Sequence, residues 1–289
     1  MRRHPPRPAS PPCHPHQRPL APPPPHHPPS PPPLPQTSAD EHYWFRRPVE
    51  EGGIVWTNKH YPYGSTRGGT LRPHHGVEFD VPYNTPILSV VGGTVVFAGA
   101  DDVEIVGPEL NFYGNVIVIQ HDMLWQEQPI YTLYAHLNEV YVRPGQVVAA
   151  QAVIGISGAT GVADGPHMHF EVRVGANSYE NTRNPLLWLY PFPDRGTIAG
   201  RVIFPDGTLA ENAPISIRRL DGGIAPPTST TSYVGTTIKG DERWQENFVM
   251  DDIYAGYYEV TVRDGTTKFS QEVWVYPYQT SFVEIVIER

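Results

Sequence analysis

Short apolar runs separated by Gly and Pro follow one another from about residue 41 to residue 193. They are rich in β-branched and aromatic residues, which favours strands over helices. The clearest runs are TPILSVV (85–91), NVIVIQ (115–120), YTLYAHL (131–137) and HMHFEVRV (167–174). Residues 143–158 indicate two more strands around a turn, and no long amphipathic helix is visible. The pattern predicts a compact antiparallel β domain over residues 41–195.

Residues 196–289 show a plainer alternation of apolar and polar positions. Tyr258, Val260 and Val262 lie on one face of a predicted strand, since side chains in a strand alternate between its two faces. About seven such runs, separated by turns such as PDG and RDG, predict a small β-sandwich and make the chain all-β. The region resembles the transthyretin-like or carboxypeptidase-regulatory-like module in GTIAGRVI (196–203) and YAGYYEVTV (254–262). It contains no histidine, so we expect a spacing or binding role and no catalysis.

Proline dominates the first 40 residues. Of the 34 prolines in the chain, 17 lie in residues 1–36, interleaved with His, Ser and Ala. Such a composition cannot bury a core and favours extended, disordered chain. Residues 1–40 are therefore expected to be a disordered Pro-rich spacer whose histidines fix no metal geometry.

Charge and cysteine content narrow the classes of function. The formal charge is −9, and residues 37–289 carry 17 basic against 30 acidic groups, which disfavours binding to nucleic acid or to anionic membranes. Cys13 is the single cysteine, so a disulfide framework is excluded and any metal site must use His, Asp or Glu. No apolar stretch is long enough to span a membrane, the first residues lack the apolar core of a secretory signal, and no feature indicates an oligomeric state.

Three short segments of the middle region concentrate histidine. They are HHGVEFDVP (74–82), YAHL (134–137) and GPHMHFE (165–171). His167 and His169 are two residues apart in a predicted strand, so both project from the same face. Between His74 and Glu78 lies a glycine, and Pro82 follows, which favours a strand or loop over a helical pair.

Two histidines and one carboxylate form an established ligand set for catalytic zinc, which keeps its fourth position open. With only nitrogen and oxygen donors available, zinc suits this chain better than a metal that prefers thiolates. The ion lowers the pKa of water to near 7 and polarises a carbonyl, and further histidines can transfer protons. These residues therefore point to metal-assisted hydrolysis.

At these segments the sequence resembles the lysostaphin-type, or LytM-type, zinc metallopeptidases. The likeness covers roughly residues 60–190, with support from YGNVIVI (113–119) and GATG (158–161). It implies that His74, Glu78 and His169 are the zinc ligands and that His136 and His167 are the unligated catalytic pair. It further implies a zinc endopeptidase that cleaves peptides of bacterial peptidoglycan, at the cell envelope or outside the cell.

The sequence departs from the family pattern at two places. Glu78 stands where the family has Asp, and it is one methylene longer, so Asp80 remains a second candidate carboxylate. The stretch 101–113 is longer than in the family and is expected to reshape the groove. Two rival functions stay open: a catalytically silent domain of this fold that binds zinc and the wall, and a surface-tethering protein that acts through residues 196–289.

Other polar and aromatic residues carry less specific signals. Glu171 is equally compatible with orienting a neighbouring histidine and with a surface charge. His75 is expected to point away from His74, towards solvent or into a supporting role. Structural roles are expected for His42, His60 and His121, and core positions are favoured over groove positions for Tyr113, Tyr134 and Trp125.

Overall fold

The computed structural model describes residues 41–288, and its regular structure is almost entirely β. Two single turns of 3₁₀-helix, Tyr179–Asn181 and Pro185–Leu187, are the exceptions within this part of the chain. The strands of the first part are β1 (Val77–Phe79), β2 (Pro86–Leu88), β3 (Gly93–Ala100), β4 (Asn115–Trp125), β5 (Gln128–Val140), β6 (Val147–Val148), β7 (Val153–Ser157), β8 (Met168–Val174) and β9 (Thr182–Arg183). The all-β fold predicted from the sequence is confirmed. Within the described residues, no helix is long and apolar enough to cross a membrane.

These nine strands form one sheet in which all neighbouring strands are antiparallel. The main order is β1-β8-β5-β4-β3-β6, with β7 paired to β2 and β5 and with β9 paired to β8. One face of β8 packs into the main core through Met168, Phe170 and Val172. Because side chains alternate along a strand, His169 and Glu171 occupy the opposite face.

The last seven strands form two smaller sheets, which we call the C-terminal sandwich. The strands are β10 (Arg195–Ile203), β11 (Pro214–Arg219), β12 (Thr228–Thr231), β13 (Phe248–Tyr254), β14 (Gly256–Asp264), β15 (Thr267–Val275) and β16 (Thr280–Val286). Their orders are β13-β10-β16 and β12-β11-β14-β15, and β10 runs parallel to β16. The alternation read from the sequence agrees with the structure, since Val260, Val262, Val283 and Ile285 are buried in one cluster.

The C-terminal sandwich packs directly on the nine-stranded sheet. Ala199 of β10 and Val249 of β13 belong to the main core. Residues 41–45 join the two parts as a strap: the carboxylate of Glu41 accepts hydrogen bonds from the backbone N–H and hydroxyl of Thr280 at 2.7 and 2.8 Å, and Phe45 pairs with Leu189. The two parts therefore share buried surface instead of being joined only by a linker.

Deleting residues 1–40 is expected to leave folding and zinc content unchanged, since that segment lacks core-forming residues. Deleting residues 1–45 should lower the melting temperature sharply, because the strap buries His42, Tyr43 and Phe45. Losing one buried Phe side chain alone typically costs about 3–5 kcal/mol. Thermal melts and zinc analysis of both truncations check this, and a large loss of stability in the shorter deletion would contradict it.

A buried carboxylate lies where the sandwich meets the nine-stranded sheet. Glu246 Oε1 accepts a hydrogen bond from the Tyr233 hydroxyl at 2.9 Å, and its Oε2 accepts one from the backbone N–H of Asp241 at 2.9 Å. Tyr233 in turn accepts one from the Asn184 amide at 2.9 Å. Burial, and then the charge of Asp241, raises the pKa of Glu246 to about 8.

Glu246→Gln is expected to stabilise the protein selectively at alkaline pH. Between the ordinary Glu pKa of 4.5 and about 8, the folded chain holds a proton that the unfolded chain has released, so stability falls as pH rises through this window. Gln cannot ionise, so the variant should match the wild type near pH 4.5 and exceed it at pH 9 by on the order of 3 kcal/mol. Urea melts of both proteins at the two pH values test this, and an equal pH slope would contradict it.

Candidate metal centre

His74, Glu78 and His169 come together from a loop and two paired strands. Glu78 of β1 lies directly opposite His169 of β8 in the antiparallel register, so both side chains project from one face. His74 precedes β1 in a turn, where its backbone N–H donates to the Ser65 carbonyl at 3.0 Å. Gly76 permits this approach, because a Cβ there would lie 2.4 Å from the Phe170 carbonyl oxygen and 2.7 Å from the His169 ring.

Three potential donor atoms face one another at short range. His74 Nε2 lies 3.2 Å from His169 Nδ1, and Glu78 Oε1 lies 2.9 Å from the first and 3.0 Å from the second. In a tetrahedral zinc site, with donor distances of about 2.0–2.1 Å, the donors are about 3.3 Å apart. Among the His, Cys, Asp and Glu side chains of the described residues, His74, Glu78 and His169 are close enough together to hold a metal ion.

The outer hydrogen bonds fix which ring nitrogens are free to bind a cation. His74 Nδ1 donates to the Tyr61 carbonyl at 2.7 Å, which leaves the lone pair of Nε2 directed at the centre. His169 Nε2 lies 3.1 Å from the Glu171 carboxylate, which leaves Nδ1 inward. Two lone pairs and a carboxylate oxygen in mutual contact repel one another unless a positive charge, either a proton on His169 or a metal ion, lies between them. The residues present therefore fit a divalent ion.

The pKa values show that this pocket favours positive charge. Burial acts to lower the pKa of His169, but Glu78 and Glu171 outweigh it and raise the pKa to about 9. Burial likewise acts to raise the pKa of Glu78, but His169 and His74 hold it well below its usual range. An ionised carboxylate and an excess of negative potential are the conditions that a bound cation satisfies.

A buried network supports His169 from behind. Glu171 is fully buried, and its carboxylate accepts hydrogen bonds from the Tyr113 hydroxyl and from Arg173 Nε, the latter at 2.8 Å. Although burial acts to raise the pKa of Glu171, the Arg173 charge and the His169 and Tyr113 contacts lower it to about 2. Of the two roles open for Glu171 in the sequence, the structure supports orientation of a histidine and contradicts a surface charge.

Glu171→Gln is expected to weaken zinc binding about 10–100-fold, the usual cost of losing a supporting carboxylate behind a metal-bound histidine. It should also lower stability, because the fully buried Arg173 would lose its charge partner. Tyr113→Phe is the matched control, since it removes a neutral donor to the same carboxylate and keeps the ion pair. Competition with a chelator measures the zinc affinity, and equal affinities in the two variants would contradict the assigned role.

A β-bulge carries His136 into the same site. In the β4–β5 ladder Asn115 pairs with Leu137 and Ile117 pairs with Tyr134, so two residues of β5 oppose the single Val116. His136 has a left-handed φ of 58°, a conformation that costs energy for a residue other than Gly. The bulge turns the imidazole away from the core face, which Tyr134 occupies, and towards His167 and His169, whose rings lie 4.8 and 5.8 Å away.

His136 and His167 each have one ring nitrogen bound to a backbone carbonyl, which leaves Nε2 available. Their Nδ1 atoms donate to the carbonyls of Thr160 and Gly165 respectively, each at 2.8 Å. His167 Nε2 lies 3.2 Å from Glu78 Oε2, the second oxygen of the proposed ligand. Burial, and then the neighbouring histidines, lowers the pKa of His136 to about 4, so this imidazole is neutral at pH 7.

The five side chains open into a groove of about 440 Å³. Its walls include Phe112, Val162 and Tyr179. Phe112 belongs to the stretch 101–113, so this stretch contributes one wall of the groove. Glu109 of the same stretch forms an ion pair with Arg72 at 3.1 Å.

The other polar and aromatic residues that the sequence singled out lie outside the three-residue group. The Asp80 carboxylate accepts hydrogen bonds from the Asn58 amide at 3.0 and 2.8 Å and is not part of the three-residue group. His75 does point away from the centre, but it is buried and lies 2.9 Å from the Thr182 hydroxyl, so the solvent alternative is wrong. Tyr113, Tyr134 and Trp125 are buried, as expected.

The C-terminal sandwich contacts the loop that precedes His74, a feature that sequence reasoning missed. Val234 N–H donates to the Gly64 carbonyl at 2.9 Å, and Gly64 N–H donates to the His74 carbonyl at 2.8 Å. Gly64 has φ +76°, and a Cβ there would lie 2.4 Å from the Tyr233 ring. The loop that follows β12 therefore contacts the turn that carries His74, and no local pattern in the sequence indicates such a contact.

Comparison with known proteins identifies this arrangement. Residues 72–182 match peptidase family M23, and they include the four histidines and the one glutamate of the site. Residues 72–182 form an M23 peptidase domain. The match confirms the peptidase region that was expected from the sequence. It also confirms zinc as the metal of such a domain, and the group of His74, Glu78 and His169 could hold the ion.

Several relatives are similar to the M23 domain of this chain. Peptidoglycan DD-endopeptidase ShyB of Vibrio cholerae is 36% identical over 37% of this chain and 22% of its own length. Lysostaphin of Staphylococcus staphylolyticus is 30% identical over 50% of this chain and 28% of its own. The DD-carboxypeptidase/endopeptidase Mpg of Neisseria meningitidis is 28% identical over 60% and 39%.

Among solved structures, the catalytic domain of lysostaphin from Staphylococcus simulans is 28% identical to this chain, with a TM-score of 0.36 over 45% of this chain and 86% of that chain. The curated relatives are longer proteins. The matched region spans 22% to 39% of the three relatives described above. The family assignment therefore applies to residues 72–182.

Proposed function

We propose that this protein is a zinc metalloendopeptidase that hydrolyses peptide bonds in peptidoglycan, in the cross-bridges or stem peptides. The observation that carries the proposal is the convergence of the two free histidine nitrogens with the Glu78 carboxylate, beside two further histidines, His136 and His167. The name of ShyB, a peptidoglycan DD-endopeptidase, supports peptidoglycan as the substrate, and the name of Mpg, a DD-carboxypeptidase/endopeptidase, supports the cleavage of peptide bonds. Peptidoglycan as substrate also favours the cell envelope or the exterior of a bacterium as the place of action.

In this proposal His74, Glu78 and His169 hold the zinc ion. When bound, zinc supplies Lewis acidity, which polarises a peptide carbonyl and lowers the pKa of water to near 7. Glu171 orients His169 from behind through the 3.1 Å contact. The groove lined by Phe112 and Val162 holds the peptide against this centre.

His136 and His167 act on protons and on developing charge. Because Nδ1 of each ring donates to a carbonyl, each Nε2 is free to accept a proton or, once protonated, to donate one. His136 is neutral at pH 7, so its Nε2 has a lone pair for a proton that is released during hydrolysis. Both histidines line the groove, so they face the bond to be cleaved.

Digestion of purified peptidoglycan by the zinc-loaded chain tests the proposal. Mass spectrometry should reveal new peptide termini, a chelator should abolish them, and added zinc should restore them. The alternative is a catalytically silent zinc-binding module, for which the departure at Glu78 gives a reason. One zinc per chain without any new termini would favour that alternative and reject the endopeptidase.

A further inference from the structure

A second groove, which we call the junction groove, lies between the segment 59–68, which precedes His74, and the C-terminal sandwich. It encloses about 400 Å³. One wall is the segment 59–68, and the other is formed by β11, β12 and Arg263 of β14. Clefts between packed structural units are preferred places for ligands, so the position of the junction groove favours ligand binding.

The charge of the junction groove is opposite to that of the body of the protein. Its lining includes Lys59, His60, Arg67 and Arg263, and none of the described residues that line it is acidic. The described body as a whole carries a large acidic excess. Lys59 is paired with Asp251, so the two guanidinium groups of Arg67 and Arg263 provide the unneutralised charge.

Those two arginines are exposed, and neither forms an ion pair or a side-chain hydrogen bond within residues 41–288. The hydroxyls of Ser216 and Ser229 line the same groove. Free guanidinium groups next to hydroxyl donors are the groups that bind a carboxylate through charge-assisted hydrogen bonds. The chemistry therefore fits an anionic, oxygen-rich ligand.

Arg67 connects this groove to the metal centre. It lines both the junction groove and the groove above His74, Glu78 and His169. A chain molecule whose scissile bond lies at the metal can therefore continue past Arg67 towards Arg263 without leaving the surface. A group bound between Arg67 and Arg263 would then belong to a part of the substrate that is distant from the scissile bond.

We propose that the junction groove is an accessory subsite in which Arg67 and Arg263 bind a carboxylate of the same peptidoglycan molecule whose peptide occupies the metal centre. The proposal rests on the proposed function for the identity of its ligand. It assigns the C-terminal sandwich a direct part in substrate selection, through the side chain of Arg263. Binding should weaken as salt concentration rises, because both arginines are exposed.

Steady-state kinetics with soluble peptidoglycan fragments test the subsite. Arg67→Gln and Arg263→Gln should each raise KM about 3–10-fold with kcat nearly unchanged, the range expected for one charge-assisted contact in an exposed groove. Arg143→Gln is the matched control, because Arg143 is an exposed arginine that lines neither groove. Ser229→Asp, which adds a negative charge to the groove, should raise KM similarly.

Fragments whose carboxyl groups have been converted to amides identify the chemistry. They should bind the wild type and Arg263→Gln equally, whereas native fragments should bind Arg263→Gln more weakly. Equal losses towards native and amidated fragments would overturn carboxylate recognition. Native fragments that bind both arginine variants as tightly as Arg143→Gln would overturn the subsite.

Direct binding separates this proposal from the proposed function. Titration of native fragments into the zinc-loaded full chain, in a His136→Ala background that slows cleavage, reports affinity without turnover. Weaker binding on adding Arg263→Gln supports the subsite even if the wild type cleaves nothing, which would reject only the endopeptidase. Cleavage with an unchanged KM in both arginine variants would reject only the subsite.

Discussion

Replacing His169 with Ala is expected to remove zinc and hydrolysis together. His169 Nδ1 lies within 3.2 Å of the other two donor atoms, so losing this ring leaves two ligands, fewer than the three that a catalytic zinc site uses. Zinc should fall from about one per chain to near zero after dialysis, and turnover should fall below detection. Zinc analysis and peptidoglycan digestion of the same samples measure the two effects.

His74→Ala and Glu78→Ala should behave in the same way, whereas Glu78→Asp should retain zinc, because either carboxylate binds zinc at a similar distance. Asp80→Asn is the control for the second carboxylate and should retain zinc, since Asp80 is bound to Asn58. If Glu78→Ala keeps its zinc while Asp80→Asn loses it, the ligand assignment is wrong.

Removing His136 or His167 should separate metal binding from catalysis. His136→Ala and His167→Ala are expected to keep about one zinc per chain and to lose roughly 10²–10⁴-fold in rate, the usual contribution of a positioned acid or base. The double variant should lose less than the product of the two single losses if the rings act as a unit. Rates measured at equal zinc occupancy provide the comparison.

A second variant of His136 separates the loss of the imidazole from the effect of the unusual backbone conformation at this residue. Its φ of 58° is better tolerated by Asn than by Ala, so His136→Asn keeps the bulge while removing the imidazole. The two His136 variants should lose the same catalytic rate and differ only in melting temperature. Loss of zinc from His136→Asn would place His136 among the ligands and contradict its role.

The sequence by itself indicated metal-assisted hydrolysis, and its resemblance to the lysostaphin-type family implied His74, Glu78 and His169 as the zinc ligands. Alternation along 167–174 placed His167 and His169 on one face, and the glycine between His74 and Glu78, with Pro82 after it, favoured a strand or loop over a helical pair. These are local features: side chains in a strand alternate strictly, and Gly and Pro restrict the chain within a few residues. The strands of both parts could be predicted for the same reason.

Only the tertiary structure decided how His136 reaches the centre and what supports His169. The bulge opposite Val116 depends on the pairing of β4 with β5, and simple alternation would have directed His136 to the core face with Tyr134. The sequence left open whether Glu171 is a surface charge, whereas in the structure it is buried and bonded to Tyr113 and Arg173. His136 lies 20 positions after Val116, and Tyr113 lies 58 positions before Glu171, so no local pattern indicates either contact.

The contact of the C-terminal sandwich with the turn that carries His74 also belongs to the tertiary structure alone. Gly64 and Tyr233 are far apart in the sequence, and neither has a periodic pattern that indicates the other. The junction groove arises in the same way, since Arg67 and Arg263 become neighbours of one cavity only when the two parts share a buried surface. Periodicity predicts which face of a strand is buried, but the partner that covers it is set by packing between distant segments.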